Sequence, residues 1–208
     1  MKGIIFIGGE GPSAPFCKNL ASRADIIVAA DSGLIAVENA GLRPDWIIGD
    51  MDSLDDPRRL LGYPPERILR YPRDKDFTDT ELALQFLHDK GCPSVWIAGG
   101  GGGRIDHLFA VRSLFERESP PERWLTARED IYCADSGQEL FLPLKAESLV
   151  SVFPLGNGPW EAASRGLKWP LNSLNWNRSF CGVSNITETG SFSVQVIRGR
   201  LMVIVPIL

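Results

Sequence analysis

The stretch Ile26-Ile27-Val28-Ala29-Ala30-Asp31-Ser32-Gly33 decides the reading of the fold: a short apolar, β-branched run ends on an acidic residue and a glycine, and a helical pattern follows. The same arrangement recurs where Trp46-Ile47-Ile48-Gly49 runs into Asp50, and where Val95-Trp96-Ile97-Ala98 runs into glycines. Working outward, strands are predicted at 3–7, 25–30, 45–48, 66–70 and 94–98, with helices at 14–22, 33–40, 78–90 and 106–117. Alternation of this kind predicts an α/β class with a Rossmann-like, mostly parallel sheet and flanking crossover helices. The third helix has the most explicit boundaries. Thr78 and Glu81 form a capping-box pattern, Phe77 and Leu82 can staple across it, and Gly91 is a natural stop.

Beyond about residue 120 the pattern changes to short strands at 131–134, 138–142, 148–153, 191–198 and 200–206. The pair Pro120-Pro121 marks the change, which predicts an α/β domain over 1–122 and an all-β domain over 123–208. Arg198-Gly199-Arg200 suits the turn of a hairpin between the last two strands.

With 208 residues and 44% apolar content the chain can bury a substantial core. A formal charge of -4 offers no broad attraction to nucleic acid or to anionic lipid, so a small-molecule ligand is expected. Cys17, Cys92, Cys133 and Cys181 are widely spaced, with no C-x-x-C pair, and read as reduced thiols. The apolar run Gly3–Ile7 breaks at Gly8-Gly9, too soon for a signal-peptide core, and nothing later approaches a membrane span. A cytoplasmic location is expected.

The acidic signatures sit where chemistry is expected, because open parallel sheets bind ligands beyond the carboxyl ends of their strands. Asp31 follows one strand, Asp50 and Asp52 follow another, and Asp76 and Asp79 flank the start of a helix. Crowded carboxylates repel each other and are costly to desolvate, so a divalent cation is expected among them. If Asp50-Met51-Asp52 is extended, both side chains point the same way and can share Mg²⁺, with Asp79 as a third ligand. Lys75 can meet a phosphate as a point charge. The run Gly99–Gly103 lets the backbone approach an anion, Arg104 adds a fork for phosphate oxygens, and Asp106 can orient or deprotonate a hydroxyl. The run matches neither G-x-G-x-x-G nor a P-loop, no G-x-S-x-G elbow occurs, and two histidines, His88 and His107, do not make a histidine-rich zinc site.

Taken in order, Ala30-Asp31-Ser32-Gly33, Gly41-x-x-Pro44-Asp45, Gly49-Asp50-Met51-Asp52-Ser53, Lys75-Asp76-x-Thr78-Asp79-x-Glu81 and Gly102-Gly103-Arg104-x-Asp106-His107 resemble thiamine pyrophosphokinases. Farther on, Gly166-Leu167-Lys168-Trp169-Pro170-Leu171 and Val183-Ser184-Asn185 look like that family's thiamine-side segments. The resemblance implies a nucleotide-binding α/β domain, a C-terminal β-sandwich, and a homodimer with thiamine near the subunit interface. It implies transfer of the β,γ-diphosphate of ATP to thiamine's hydroxyl, with release of AMP. It also implies Asp50, Asp52 and Asp79 as Mg²⁺ ligands, with Asp31, Lys75, Asp76, Thr78, Gly102, Gly103, Arg104 and His107 around ATP. Asp106, Trp169, Ser184 and Asn185 then belong to thiamine, whose cationic thiazolium and flat pyrimidine suit an aromatic face. The alternative is a diphosphokinase acting on another hydroxymethyl heterocycle, such as a pterin.

Overall fold

Strand β1 (Lys2–Phe6) is central to its sheet, hydrogen-bonded in parallel to β2 (Ile26–Ala30) on one side and to β5 (Ser94–Ala98) on the other. Ile4, Ile5 and Phe6 are accordingly buried, as the short apolar runs require. The computed structural model describes residues 1–207 and divides into two compact units, Met1–Arg128 and Glu129–Leu208. In the first unit β3 (Trp46–Gly49), β4 (Ile68–Arg70) and β6 (Arg123–Leu125) complete a parallel set in the order β6-β5-β1-β2-β3-β4. The chain steps outward from β1 to β4, then returns to the other side of β1 at β5. That reversal opens a crevice beyond the carboxyl ends of β1 and β5, the usual ligand position in such sheets.

Four helices accompany these strands: α1 (Ala14–Ala21), α2 (Gly33–Asn39), α3 (Asp79–Asp89) and α4 (Ile105–Leu114). Helix α3 starts as its sequence requires, with Glu81 N–H donating to Thr78 Oγ1 at 3.2 Å and Thr78 N–H donating to Glu81 Oε2 at 2.7 Å. Thr78→Ala removes one of these bonds and should cost about 1 kcal/mol, which thermal unfolding would register as a Tm lower by about 2–4 °C. Phe77, the expected partner of Leu82 in a staple, directly precedes the Thr78 cap. It leaves 55% of its surface exposed and lines the functional cleft described below.

The first unit continues through Arg128 instead of ending at residue 122, because Arg123–Leu125 pairs with Trp96–Ala98 as a sixth parallel strand. Three residues between turns carry too little pattern to be read as a strand from sequence.

The second unit contains two antiparallel sets of strands. One runs β11 (Gly182–Ile186), β9 (Leu149–Leu155), β13 (Arg200–Pro206), β7 (Glu129–Asp135); the other runs β10 (Glu161–Arg165), β12 (Ser191–Arg198), β8 (Glu139–Pro143). Alternate residues of both sets, among them Val150, Val152, Leu201 and Val203 from one and Phe192, Val194 and Val196 from the other, form one buried cluster. The expected hairpin across Gly199 is corrected here. Strand β12 pairs with β10 and β8, whereas β13 pairs with β7 and β9, so Arg198-Gly199-Arg200 is a corner between sets. Both strands turn a β-branched face inward, and stacking those faces buries more apolar surface than pairing the two strands edge to edge.

All four cysteines are free thiols, with Cys17 and Cys92 buried and Cys181 exposed. Among the described residues no helix is long and apolar enough to cross a membrane.

Candidate functional site

A cleft of about 710 Å³ in the first unit collects the ends of several of its elements. Its walls include Gly8 and Gly9 after β1, Asp31 and Ser32 after β2, Asp52 and Ser53 after β3, and the segment from Arg73 to Thr80. Gly100–Gly103, Arg104 and His107 close it from the β5–α4 side. The volume falls within the usual range for small-molecule sites. The glycine run is not a loose linker. Glu10 N–H donates to Gly101 O at 2.7 Å and Gly101 N–H donates to Glu10 O at 2.9 Å, which ties the loops after β1 and β5 together at the crevice.

Asp31, Asp50 and Asp79 converge, each offering a carboxylate oxygen within 4.8 Å of the others. Local backbone shape brings them together. Asp31 has φ 47°, sparsely populated for a residue with a side chain, and its N–H is held by Ile48 O at 2.9 Å. Gly49 has φ 147°, and a Cβ there would lie 3.0 Å from Asp79 Cγ and 3.2 Å from Asp31 Cβ, so only glycine leaves room for the carboxylates. Asp79 is the first residue of α3, where the helix dipole favours negative charge.

Asp52 stands outside this trio, contrary to the geometry expected for it. Met51 has φ 66°, so the Asp50-Met51-Asp52 segment is not extended, and Asp52 N–H folds back to donate to Asp50 Oδ1 at 3.2 Å. Asp52 instead pairs with Arg73 at 3.0 Å and accepts from Ser53 Oγ at 3.0 Å, still on the cleft wall. Asp31, expected as a neighbouring support, lies beside Asp50 and Asp79.

Lys75 reaches into the trio. Its Nζ lies 2.7 Å from Asp50 Oδ2 and 3.2 Å from Asp79 Oδ1. That hydrogen bond holds the Asp50 carboxyl below the ordinary value, whereas burial pushes Asp79 up, with Asp50 and Asp31 adding to the rise against the pull of Lys75. Burial alone would lower the Lys75 ammonium, but its pairing with Asp50 and Asp79 outweighs that and holds it above the usual lysine range. Asp31 Oδ1 is buried without a hydrogen-bond partner, and the buried Asp79 Oδ1 has the Lys75 ammonium 3.2 Å away without a well-directed hydrogen bond. Three carboxylates, an orphaned Asp31 oxygen and a cradle kept open by a glycine fit a hard, oxygen-seeking divalent cation.

Arg104 forms a two-pronged pair with Asp106, Nε to Oδ1 at 3.1 Å and Nη2 to Oδ2 at 2.5 Å. The pair holds the Asp106 carboxyl below its ordinary range, which disfavours it as a base. Asp76 and His107 also face the cleft. Thr78 lies on the wall with its hydroxyl engaged in capping α3.

Trp169, Ser184 and Asn185 belong to the second unit. Trp169 is 53% exposed, with Lys168 Nζ 5.0 Å from its ring centre. The buried Asn185 accepts from Trp169 N–H at 3.2 Å and from Ile186 N–H at 2.8 Å, and donates to Trp169 O at 2.6 Å. Its amide is therefore mostly occupied in holding the backbone of Trp169. Ser184 is exposed at φ 60°.

Sequence reasoning passed over Gly8-Gly9, Ser32, Arg73 and Phe77, all on the cleft wall. A signal was present for the first pair. Gly8-Gly9 follows an apolar strand as Gly99-Gly100 does, and the rule that places ligands at strand ends applies equally to it.

The family profile described as thiamin pyrophosphokinase, catalytic domain, matches residues 17–120. The thiamine pyrophosphokinase of Bacillus subtilis is 25% identical over 197 residues, covering 91% of this chain and 92% of that protein. Among solved structures, the Bacillus subtilis thiamine pyrophosphokinase superposes with a TM-score of 0.78 at 22% identity, covering 99% of each chain. The thiamin pyrophosphokinase of Candida albicans does so with a TM-score of 0.73 at 16% identity, covering 100% of this chain and 90% of the other. At these identities the structural likeness speaks to the fold.

Proposed function

The chain belongs to the thiamin pyrophosphokinase family, and from that premise we propose that it transfers the β,γ-diphosphate of ATP to the hydroxyl of thiamine, giving thiamine diphosphate and AMP. The observation that carries the reading is the Asp31, Asp50 and Asp79 trio, of which Asp31 and Asp79 line the same cleft as Gly100–Gly103 and Arg104. Acidic ligands and anion-binding groups lining one cleft are what a metal-bound polyphosphate requires. We read the first unit as a Rossmann-like nucleotide domain and the second as a β-sandwich, a reading supported by the core that both of its strand sets share.

The residues divide the work. Asp31, Asp50 and Asp79, with Asp52 on the rim, would hold Mg²⁺, which on binding supplies charge neutralisation to the polyphosphate. Gly102 and Gly103 present backbone to the phosphates, and Arg104, Arg73 and Lys75 bring positive charge to the same space. Asp76, Thr78 and His107 border the nucleotide. Asp106, kept ionised by Arg104, is suited to accept a hydrogen bond from thiamine's hydroxyl and so to aim it in line at the β-phosphorus. Catalysis is then positioning and electrostatics more than proton abstraction.

Thiamine is assigned to the second unit's Trp169 face, with Asn185 fixing the backbone of Trp169 and Ser184 offering a polar edge. A homodimer with thiamine near the subunit interface is part of the proposal, as is a cytoplasmic location with no nucleic-acid partner.

The test is to incubate the purified protein with ATP, Mg²⁺ and thiamine and to quantify AMP and thiamine diphosphate. Equal amounts of both products, absent without thiamine, are expected. No thiamine-dependent AMP would overturn the assignment, and AMP formed only with a hydroxymethylpterin would redirect it.

A further inference from the structure

The position between the carboxylates of Asp50 and Asp79 is filled by a side chain of the protein itself. Lys75 Nζ contacts both at 2.7 and 3.2 Å, and its side chain is only 13% exposed. A surface lysine beside acids would stay in water, since exposed pairs gain little. We propose that Lys75 is an exchangeable counter-ion: its ammonium holds the carboxylate trio together before substrate arrives, yields that place to the divalent metal, and thereby becomes available to the polyphosphate. The inference rests on the metal reading given above and adds to it a cation that must leave.

Three features support exchange over coexistence. The trio's oxygens lie within 4.8 Å of one another, so a metal among them would sit against the ammonium, and two cations at such a distance repel strongly in a partly buried site. One ammonium neutralises a single charge of three and leaves the buried Asp31 Oδ1 without a hydrogen bond, so the resident cation satisfies the site incompletely. Lys75 also lies between β4 and α3, outside any strand or helix, on a flexible four-carbon stem, and it lines the same cleft as Gly102, Gly103 and Arg104. It can therefore swing from carboxylate to phosphate without unmaking secondary structure.

The test is nucleotide-free Mn²⁺ binding by equilibrium dialysis and electron paramagnetic resonance. Lys75→Met should bind Mn²⁺ at least about tenfold more tightly than the unsubstituted protein, and adding Asp31→Asn in the same background should erase the gain. Equal or weaker binding by Lys75→Met would overturn the counter-ion role while leaving the metal site standing. No Mn²⁺ bound by any form, with or without a non-hydrolysable ATP analogue, would overturn the metal reading and the counter-ion together. A second measurement needs no substitution: reductive methylation of the unsubstituted protein, read by mass spectrometry, should modify Lys75 slowly without metal and faster with saturating Mg²⁺ alone. An unchanged rate under Mg²⁺ would contradict the exchange.

Discussion

Asp79→Asn should lower turnover by roughly 10²–10³-fold, the scale of loss seen when one group that stabilises transition-state charge is removed, while leaving the protein at least as stable as before. The two effects separate because of where Asp79 sits. Burial and the neighbouring Asp50 and Asp31 hold its carboxyl above the ordinary value, so in the metal-free protein its charge at neutral pH opposes folding. That opposition fades as pH falls through the raised folded value, and a neutral asparagine removes it at every pH. Thermal unfolding without metal should therefore give an equal or higher Tm for Asp79→Asn. Asp50→Asn should behave differently. Its carboxyl is held low by Lys75, so it contributes stability above the unfolded value that is lost as pH falls through the folded one, and the substitution should lower both Tm and turnover. Equal effects of the two variants on Tm would contradict the charge arrangement described here.

Gly33→Ala is expected to have the largest effect on folding. A Cβ at Gly33 would lie 2.0 Å from Phe6 O and 2.5 Å from Phe6 C, both backbone atoms of β1. That strand is hydrogen-bonded on both sides and cannot withdraw. The start of α2 must move instead, at a cost of about 3 kcal/mol, or a Tm lower by about 6–12 °C. Asp31 and Ser32 immediately precede this contact on the cleft wall, so turnover should fall in the fraction that remains folded. A variant with unchanged Tm would show that the Asp31-Ser32-Gly33 turn does not depend on this close approach.

Much of the first unit was legible because its signals are local. The strands before Asp31, Asp50 and Gly99 and the Thr78/Glu81 cap each rest on a few contiguous residues, and the structure places them within a residue or two of expectation. What was not legible depends on partners distant in sequence. Nothing in Ser191–Pro206 itself distinguishes a hairpin from a corner, since the choice lies in pairing with β8, β10, β7 and β9. Strand β10, Glu161–Arg165, has no β-branched residue to announce it. At the site, carboxylate identity was readable but aim was not. One left-handed residue, Met51, folds the Asp50–Asp52 segment out of the extended form, and a second, Asp31, brings an expected support into the cluster. Lys75 was read as a phosphate contact, while its present contacts are with two carboxylates, a choice that composition could not reveal.

In the proposed reaction an intact diphosphate moves from ATP to thiamine. ATP radiolabelled on its γ-phosphorus, incubated with the protein, Mg²⁺ and thiamine, tests it most directly. The label should appear in thiamine diphosphate in step with unlabelled AMP. Label released as inorganic phosphate or pyrophosphate, or found in a monophosphate of thiamine with ADP as the other product, would contradict it.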